Sequence, residues 1–291
     1  MINFEVYNPL NENIMKKILF PTDFSEVANN AFVHALELAK VINGELILLH
    51  TFELPILDNQ YFPENYFMIF ESLQLAQFDM FKDEIPKLRA IAEQHKLGNI
   101  KLNHKLMDGD LVSNIKKTVK DEQIDFVVMG TSGASGWESF FLGSNTGSVV
   151  SAVSVPLLSV PLEAKYTKIE NIGFTTRFRD KDKEALKIVL KIAKKTHATV
   201  KCLYVKTTNS DVNEVTVNQW KKEFENEPVQ FSIIRSDDVE FTILDFISHK
   251  NIDVLAMVTY KKTFFTRLFS KSLTKQFSNH SSIPILALHD I

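Results

Sequence analysis

The chain has 291 residues, 45% of them hydrophobic and 24% charged, a size for two ordinary domains and a composition that excludes wholesale disorder. Its formal net charge of -3 divides unevenly, -8 up to Leu162 and +5 from Glu163; the first half is thereby excluded as an electrostatic nucleic-acid surface, and the lysines of the second are too scattered to form one. No apolar run reaches the ~18 residues of a membrane-spanning helix, no secretory signal precedes the first strand, and the single Cys202 with no zinc-type Cys/His spacing leaves neither an internal disulfide nor a metal cluster, so a cytoplasmic protein is expected.

ILF before Pro21-Thr22-Asp23 reads as a short apolar strand running into a loop. Ser25 to Val41 then carries Val27, Ala31, Ala35, Leu38 and Ala39 at the spacing of an amphipathic helix, closed by Asn43-Gly44. ELILLHTF is a second buried strand. A long helical stretch from Asn65 to His95 follows, and Pro86 is expected to break it. IKLNHKLM, DFVVMG and VPLLSVP are the third, fourth and fifth strands, with helices over Leu111 to Glu122 and from Ser144. Short strands alternating with helices imply a parallel sheet covered on both faces by right-handed crossovers, the doubly wound α/β arrangement.

The pattern then repeats. KKILFPTDF lies against ENIGFTTRF at an offset of 154 residues, and that register carries Leu36–Thr51 onto Leu190–Val205. IDFVVMGTS lies against IDVLAMVTY at an offset of 128, a register that holds to VPLLSV on IPILAL, so the second copy lacks about 26 residues from the middle of the first. The expectation is two tandem doubly wound, Rossmann-like domains, 1–162 and 163–291.

Ligands of open parallel sheets sit at the carboxyl ends of the strands, where the strand order reverses. Two loops of the first copy qualify: Pro21-Thr22-Asp23, and the segment after the fourth strand, where five of the nine glycines fall between Gly130 and Gly147. Glycines following a strand and opening a helix bring backbone amides to a phosphate. The segment has neither the GK[ST] of a Walker loop nor a GxG dinucleotide fingerprint. A flexible loop whose Ser144 merely caps a helix is the alternative reading.

These residues resemble the universal stress protein family in its tandem form. Gly130, Gly133, nine intervening residues, Gly143 and Ser144 match the G-x2-G-x9-G-[ST] signature of that family's ATP-binding branch; PTDFS, LLH and VPLLSV fit as well. The resemblance implies an ATP site, or one for ADP or AMP, with or without Mg2+. Pro21, Thr22 and Asp23 would serve the ribose and adenine, and Thr51 would flank the adenine. Met129 and Gly130 would lie under the nucleoside, with Gly133, Gly143, Ser144 and Asn145 on the phosphates. Asp23 also has a purely local reading, as part of a helix-capping box over Asp23-Phe24-Ser25-Glu26, and His50 reads as a packed strand-end histidine.

In the second copy, Thr175, Thr176 and Arg177 replace Pro21, Thr22 and Asp23, while Val258, Lys261 and Lys271 replace Gly130, Gly133 and Gly143. That half is expected to have lost the nucleotide. The resemblance points to a stress-response protein of regulatory rather than fast catalytic role; a slow nucleotide hydrolase and a nucleotide-independent scaffold are the alternatives. It also implies pairing of the two domains through Val155–Val160 and Ile283–Leu288, with homodimerisation and an unidentified protein partner left open. The aromatic run Tyr61, Phe62, Tyr66, Phe67, Met68 and Phe70 reads either as a contact surface or as the core side of the long helix.

Overall fold

The structure, a computed structural model, describes residues 16–54, 66–131, 145–210, 212–259 and 283–289. The first copy comprises β1 (Lys16–Pro21), α1 (Glu26–Ile42), β2 (Gly44–Phe52), α2 (Tyr66–Gln94), β3 (Leu102–Asp108), α3 (Leu111–Asp121), β4 (Phe126–Thr131), α4 (Asn145–Ala152) and β5 (Leu157–Pro161). The second comprises β6 (Asn171–Thr175), α5 (Asp180–Thr196), β7 (Thr199–Lys206), α6 (Glu214–Glu223), β8 (Val229–Arg235), α7 (Val239–His249), β9 (Val254–Val258) and β10 (Ile285–Leu288).

The ten strands among the described residues form one sheet in the order β3-β2-β1-β4-β5-β10-β9-β6-β7-β8. Each copy is parallel throughout and has the same internal order, reversing direction between β1 and β4 and again between β6 and β9. The antiparallel joint is β5 with β10, where Leu158 faces Leu286. Alternation along the strands divides the core into two layers. Ile18, Phe20, Phe126, Phe174 and Leu286 face one side of the sheet with Phe32 and Leu36 of α1 and Leu186 and Val189 of α5. Leu19, Val127, Leu255 and Ile285 face the other, with Ile115, Val149 and Phe246. Both layers run without interruption through both copies.

The backbone preserves the repeat in detail. Left-handed φ values at non-glycine residues recur in pairs: Phe24 (62°) with Phe178 (54°), Asn43 (55°) with His197 (57°), and Gln123 (54°) with Asn251 (48°). Phe and Gln resist this region, whereas Asn and His tolerate it; that both kinds occupy matching places marks turns shared by the two copies. Asp125 and Asp253 form another. The Asp125 carboxylate accepts the Lys17 amide at 2.9 Å, and Asp253 accepts the amides of Glu170 and Asn171 at 2.8 Å each. In both copies an acid at the foot of one strand thus satisfies amides at the start of its parallel neighbour.

Two local expectations need correction. Pro86 lies inside α2, which runs unbroken for 29 residues. The helix is anchored on both sides of the proline by buried Phe81, Leu88 and Ala92, and this packing outweighs the one amide bond that proline removes. Asp23 does not belong to a capping box. Ser25 is the N-cap of α1, accepting from the Ala28 amide at 3.2 Å, whereas Asp23 Oδ1 accepts from the Ser25 amide at 3.0 Å, a turn one step earlier.

The residues missing from the second copy fall on α2, whose counterpart α6 has only 10 residues. The early part of α2 carries Met68, Ile69, Leu75 and Phe78, all exposed. Of the aromatic run, Met68 is exposed and Phe70 half-buried, and the side chains of Tyr61, Phe62, Tyr66 and Phe67 lie outside the described residues.

The candidate site at the carboxyl edge of the first repeat

β1 stands between β2 and β4, so the loops leaving these three strands open onto the point of strand-order reversal, where ligands of such sheets sit. Pro21 ends β1 opposite Leu49 of β2, and the chain stays tied to that strand for one more residue through the Thr22 amide on the Leu49 carbonyl at 2.9 Å. Thr22 is buried, and its hydroxyl accepts from the Phe24 amide at 3.0 Å, stabilising the left-handed turn at Phe24. These bonds lift Asp23 out of the sheet to an exposed position, with one carboxylate oxygen engaged by Ser25. His50 is fastened beneath: its Nδ1 donates to the Thr22 carbonyl at 2.8 Å, and its ring lies 5.0 Å from Phe24 and 6.2 Å from Phe81. It is a packed histidine that sets the loop.

Thr51 is half-buried two residues beyond Leu49 on β2, and Met129 is buried near the end of β4. Pro21, Thr22, Asp23, Thr51, Met129 and Gly130 therefore gather at one edge on three adjacent strands. Gly133, Gly143 and Ser144 lie outside the described residues. Asn145 begins α4, and its side chain lies outside them too.

Gly130 has a packing reason to be glycine. A Cβ there would stand 2.8 Å from the Val27 carbonyl oxygen and 2.9 Å from Val27 Cγ1, so β4 crosses the first turn of α1 at backbone contact. The sequence suggested amide access for an anion; the structure adds a helix that leaves no room for a side chain.

Sequence reasoning passed over Thr131. Its side chain is fully buried at the end of β4, and its hydroxyl has no hydrogen-bond partner among the described residues. A buried hydroxyl without a partner is uncommon and costly. The counterpart Thr259 is satisfied, donating to the Leu288 carbonyl at 3.2 Å. Only a comparison of the two copies' bonds, not a motif, exposes this difference.

Among the described residues no group of three or more His, Cys, Asp or Glu side chains could hold a metal ion, and no helix is long and apolar enough to cross a membrane. The arrangement offers an exposed carboxylate and a glycine at a strand end, with a helix start following in the chain, a set suited to a polar ligand with hydroxyl groups and an anionic end.

Comparison with known proteins bears on the family and the fold. Residues 15–161 match the model of the Universal stress protein family. Two universal stress proteins of Methanocaldococcus jannaschii are similar to the chain, one 27% identical over 149 residues (51% of this chain, 84% of the relative) and one 28% identical over 156 (50% and 94%). A universal stress protein from Archaeoglobus fulgidus shares the fold across both repeats, with a TM-score of 0.66 over 94% of this chain and 96% of that one at 18% identity. On the strength of the match over residues 15–161, half of its length, the chain belongs to the universal stress protein family.

Proposed function

We propose that the first repeat binds an adenine nucleotide, ATP in the first instance with ADP or AMP as alternatives, and that binding regulates the protein rather than feeding rapid catalysis. The observation that carries this reading is the signature Gly130, Gly133, Gly143, Ser144, which begins at the end of β4 and finishes immediately before α4, at the point of strand reversal. Asp23 supplies an acceptor for ribose hydroxyls. Backbone amides at the start of α4 suit phosphate by their direction and partial charge, and Mg2+, where it takes part, is carried by the phosphates. Fast hydrolysis is not expected, because no base or arginine finger for in-line attack accompanies the signature. The two units, 1–162 and 163–291, act on this view as an intramolecular pair in the cytoplasm, with the second as structural partner.

Calorimetric titration of ATP with Mg2+ tests the reading, on the unaltered chain and on Asp23→Arg, which copies the second repeat at an exposed position. One nucleotide per chain, weakened in the variant, is the expected result. A folded chain that takes up no nucleotide would refute it and leave the scaffold reading.

A further inference from the structure

The second repeat, which has lost the nucleotide signature, keeps a hollow where that signature would act. A cavity of about 600 Å³ opens at the carboxyl ends of β6, β7 and β9, the second point of strand reversal, and its size falls within the range of small-molecule sites. Two of its positions have gained apolar side chains: Thr51 becomes Val205, and Gly130, which has no side chain, becomes Val258. With Leu203, Ile243 and Met257, each at most 2% exposed, these make an apolar floor.

The mouth has exchanged its charge as well. Asp23 becomes Arg177, which is exposed and has no acidic side-chain partner among the described residues; Arg179 lines the same cavity. The acid on the cavity wall, Asp182, is spent inward. It is 1% exposed, and its Oδ2 accepts from the Thr176 hydroxyl at 3.1 Å and from the amides of Arg177 at 2.6 Å and Arg179 at 3.2 Å. The acids before α7 are occupied too, Asp238 capping that helix at the Phe241 amide and Asp237 holding Thr208. Among the described residues lining the cavity, the charged side chains other than Asp182 are the cations Arg177 and Arg179, above an apolar floor.

We propose that the second repeat binds a small organic anion with an apolar body, an aryl or aliphatic carboxylate, its acid group held by Arg177 and its body resting on Leu203, Val205 and Met257. The site is independent of the nucleotide reading: the two ligands differ in chemistry, and they occupy opposite halves of the sheet. Arginine suits this role because its planar fork matches a carboxylate with two parallel bonds.

The test is a titration of the full chain with 2-naphthoate, an apolar-bodied carboxylate, and with 2-naphthylmethylamine, a cation of similar body, with ATP and Mg2+ present throughout. Methionine methyl NMR signals report the location, since Met257 floors this cavity and Met129 lies in the first repeat; Met257→Leu assigns the signal. Expected are saturable shifts of the Met257 methyl with naphthoate, much weaker binding of the amine, and a loss of affinity of about tenfold or more in Arg177→Asp. Arg177 is exposed, so the variant folds, which circular dichroism checks. An absence of naphthoate binding, equal binding of the amine, shifts at Met129 instead of Met257, or an Arg177→Asp chain that binds as well as the parent would each overturn the proposal.

Discussion

Burial of His34 makes the joint between the repeats sensitive to acid. The side chain sits in α1 at 7% exposure, its Nε2 donating to the Ala164 carbonyl at 2.9 Å, with the Tyr166 ring edge-on at 5.3 Å. Asn30, one turn earlier, donates to the carbonyls of Pro161 and Ala164 at 3.0 and 2.9 Å, so two α1 side chains hold the segment leaving β5. Burial lowers the imidazole pKa from 6.5 to about 4, and the Ala164 bond only partly opposes this. The unfolded chain therefore takes a proton near pH 6.5 while the folded one refuses it until about pH 4. The folded state then loses stability steadily as pH falls through that window, by roughly 3 kcal/mol in full and about 2 kcal/mol between pH 7 and 5. Glu45 and Glu122 stay silent there. At Glu45 partial burial pushes the pKa up, but the bonds from Lys101 and Asn103 and the Lys101 charge outweigh it; at Glu122 the Lys105 bond leads; both end below the usual 4.5. The comparison is His34→Gln, whose amide can still donate to Ala164 but does not titrate, in urea unfolding at both pH values. The parent should lose about 2 kcal/mol more than the variant. Equal losses in the two chains would refute the reasoning.

Gly130→Ala should destabilise the chain by about 2 kcal/mol, because the new methyl meets a backbone carbonyl that cannot step aside; thermal unfolding should register a fall of roughly 4–8 °C. Gly98→Ala is the contrast, since its methyl would press only on the flexible Glu93 side chain, Cγ at 3.2 Å, with the Glu93 Cα at an ordinary 3.8 Å, and its melting point should stay close to the parent's. Asp125→Ala should cost about 3 kcal/mol, since it also strands the Lys16 ammonium, which lies 3.3 Å away at 8% side-chain exposure. Asp253→Ala, by comparison, leaves only two amides unserved and should cost about 1–2 kcal/mol by chemical denaturation.

Much of this architecture was legible before any coordinates. The offsets of 154 and 128 place Phe178 on Phe24 and Asn251 on Gln123, and those are the pairs that share left-handed backbones. Strand limits were readable because buried parallel strands are continuous apolar runs. Helix detail was less so. Of the stripe Val27, Ala31, Ala35, Leu38 and Ala39, the three alanines are buried and Val27 and Leu38 only half-buried, while α1 also buries Phe32, Val33 and Leu36, because a helix between a sheet and two neighbours hides more than one face. Pro86 misled because a breaker rule weighs a single amide against no packing at all. At the site, Asp23 and the glycines were visible as motif. The Val27 contact of Gly130, the idle hydroxyl of Thr131 and the hollow in the second repeat depend on distances between segments far apart in sequence, which no local pattern encodes.

The antiparallel joint of β5 with β10 bears on how the chain reaches its native state. In sequence β10 follows all the other described strands, yet in the sheet it lies fifth from one edge, between β5 and β9. During synthesis, both of those strands must wait with apolar faces and unpaired amides until the keystone between them arrives. That interval exposes two sticky edges at once. Ribosome-bound chains halted before Ile285 would be the species most prone to pair with one another, and the ones a chaperone would hold longest.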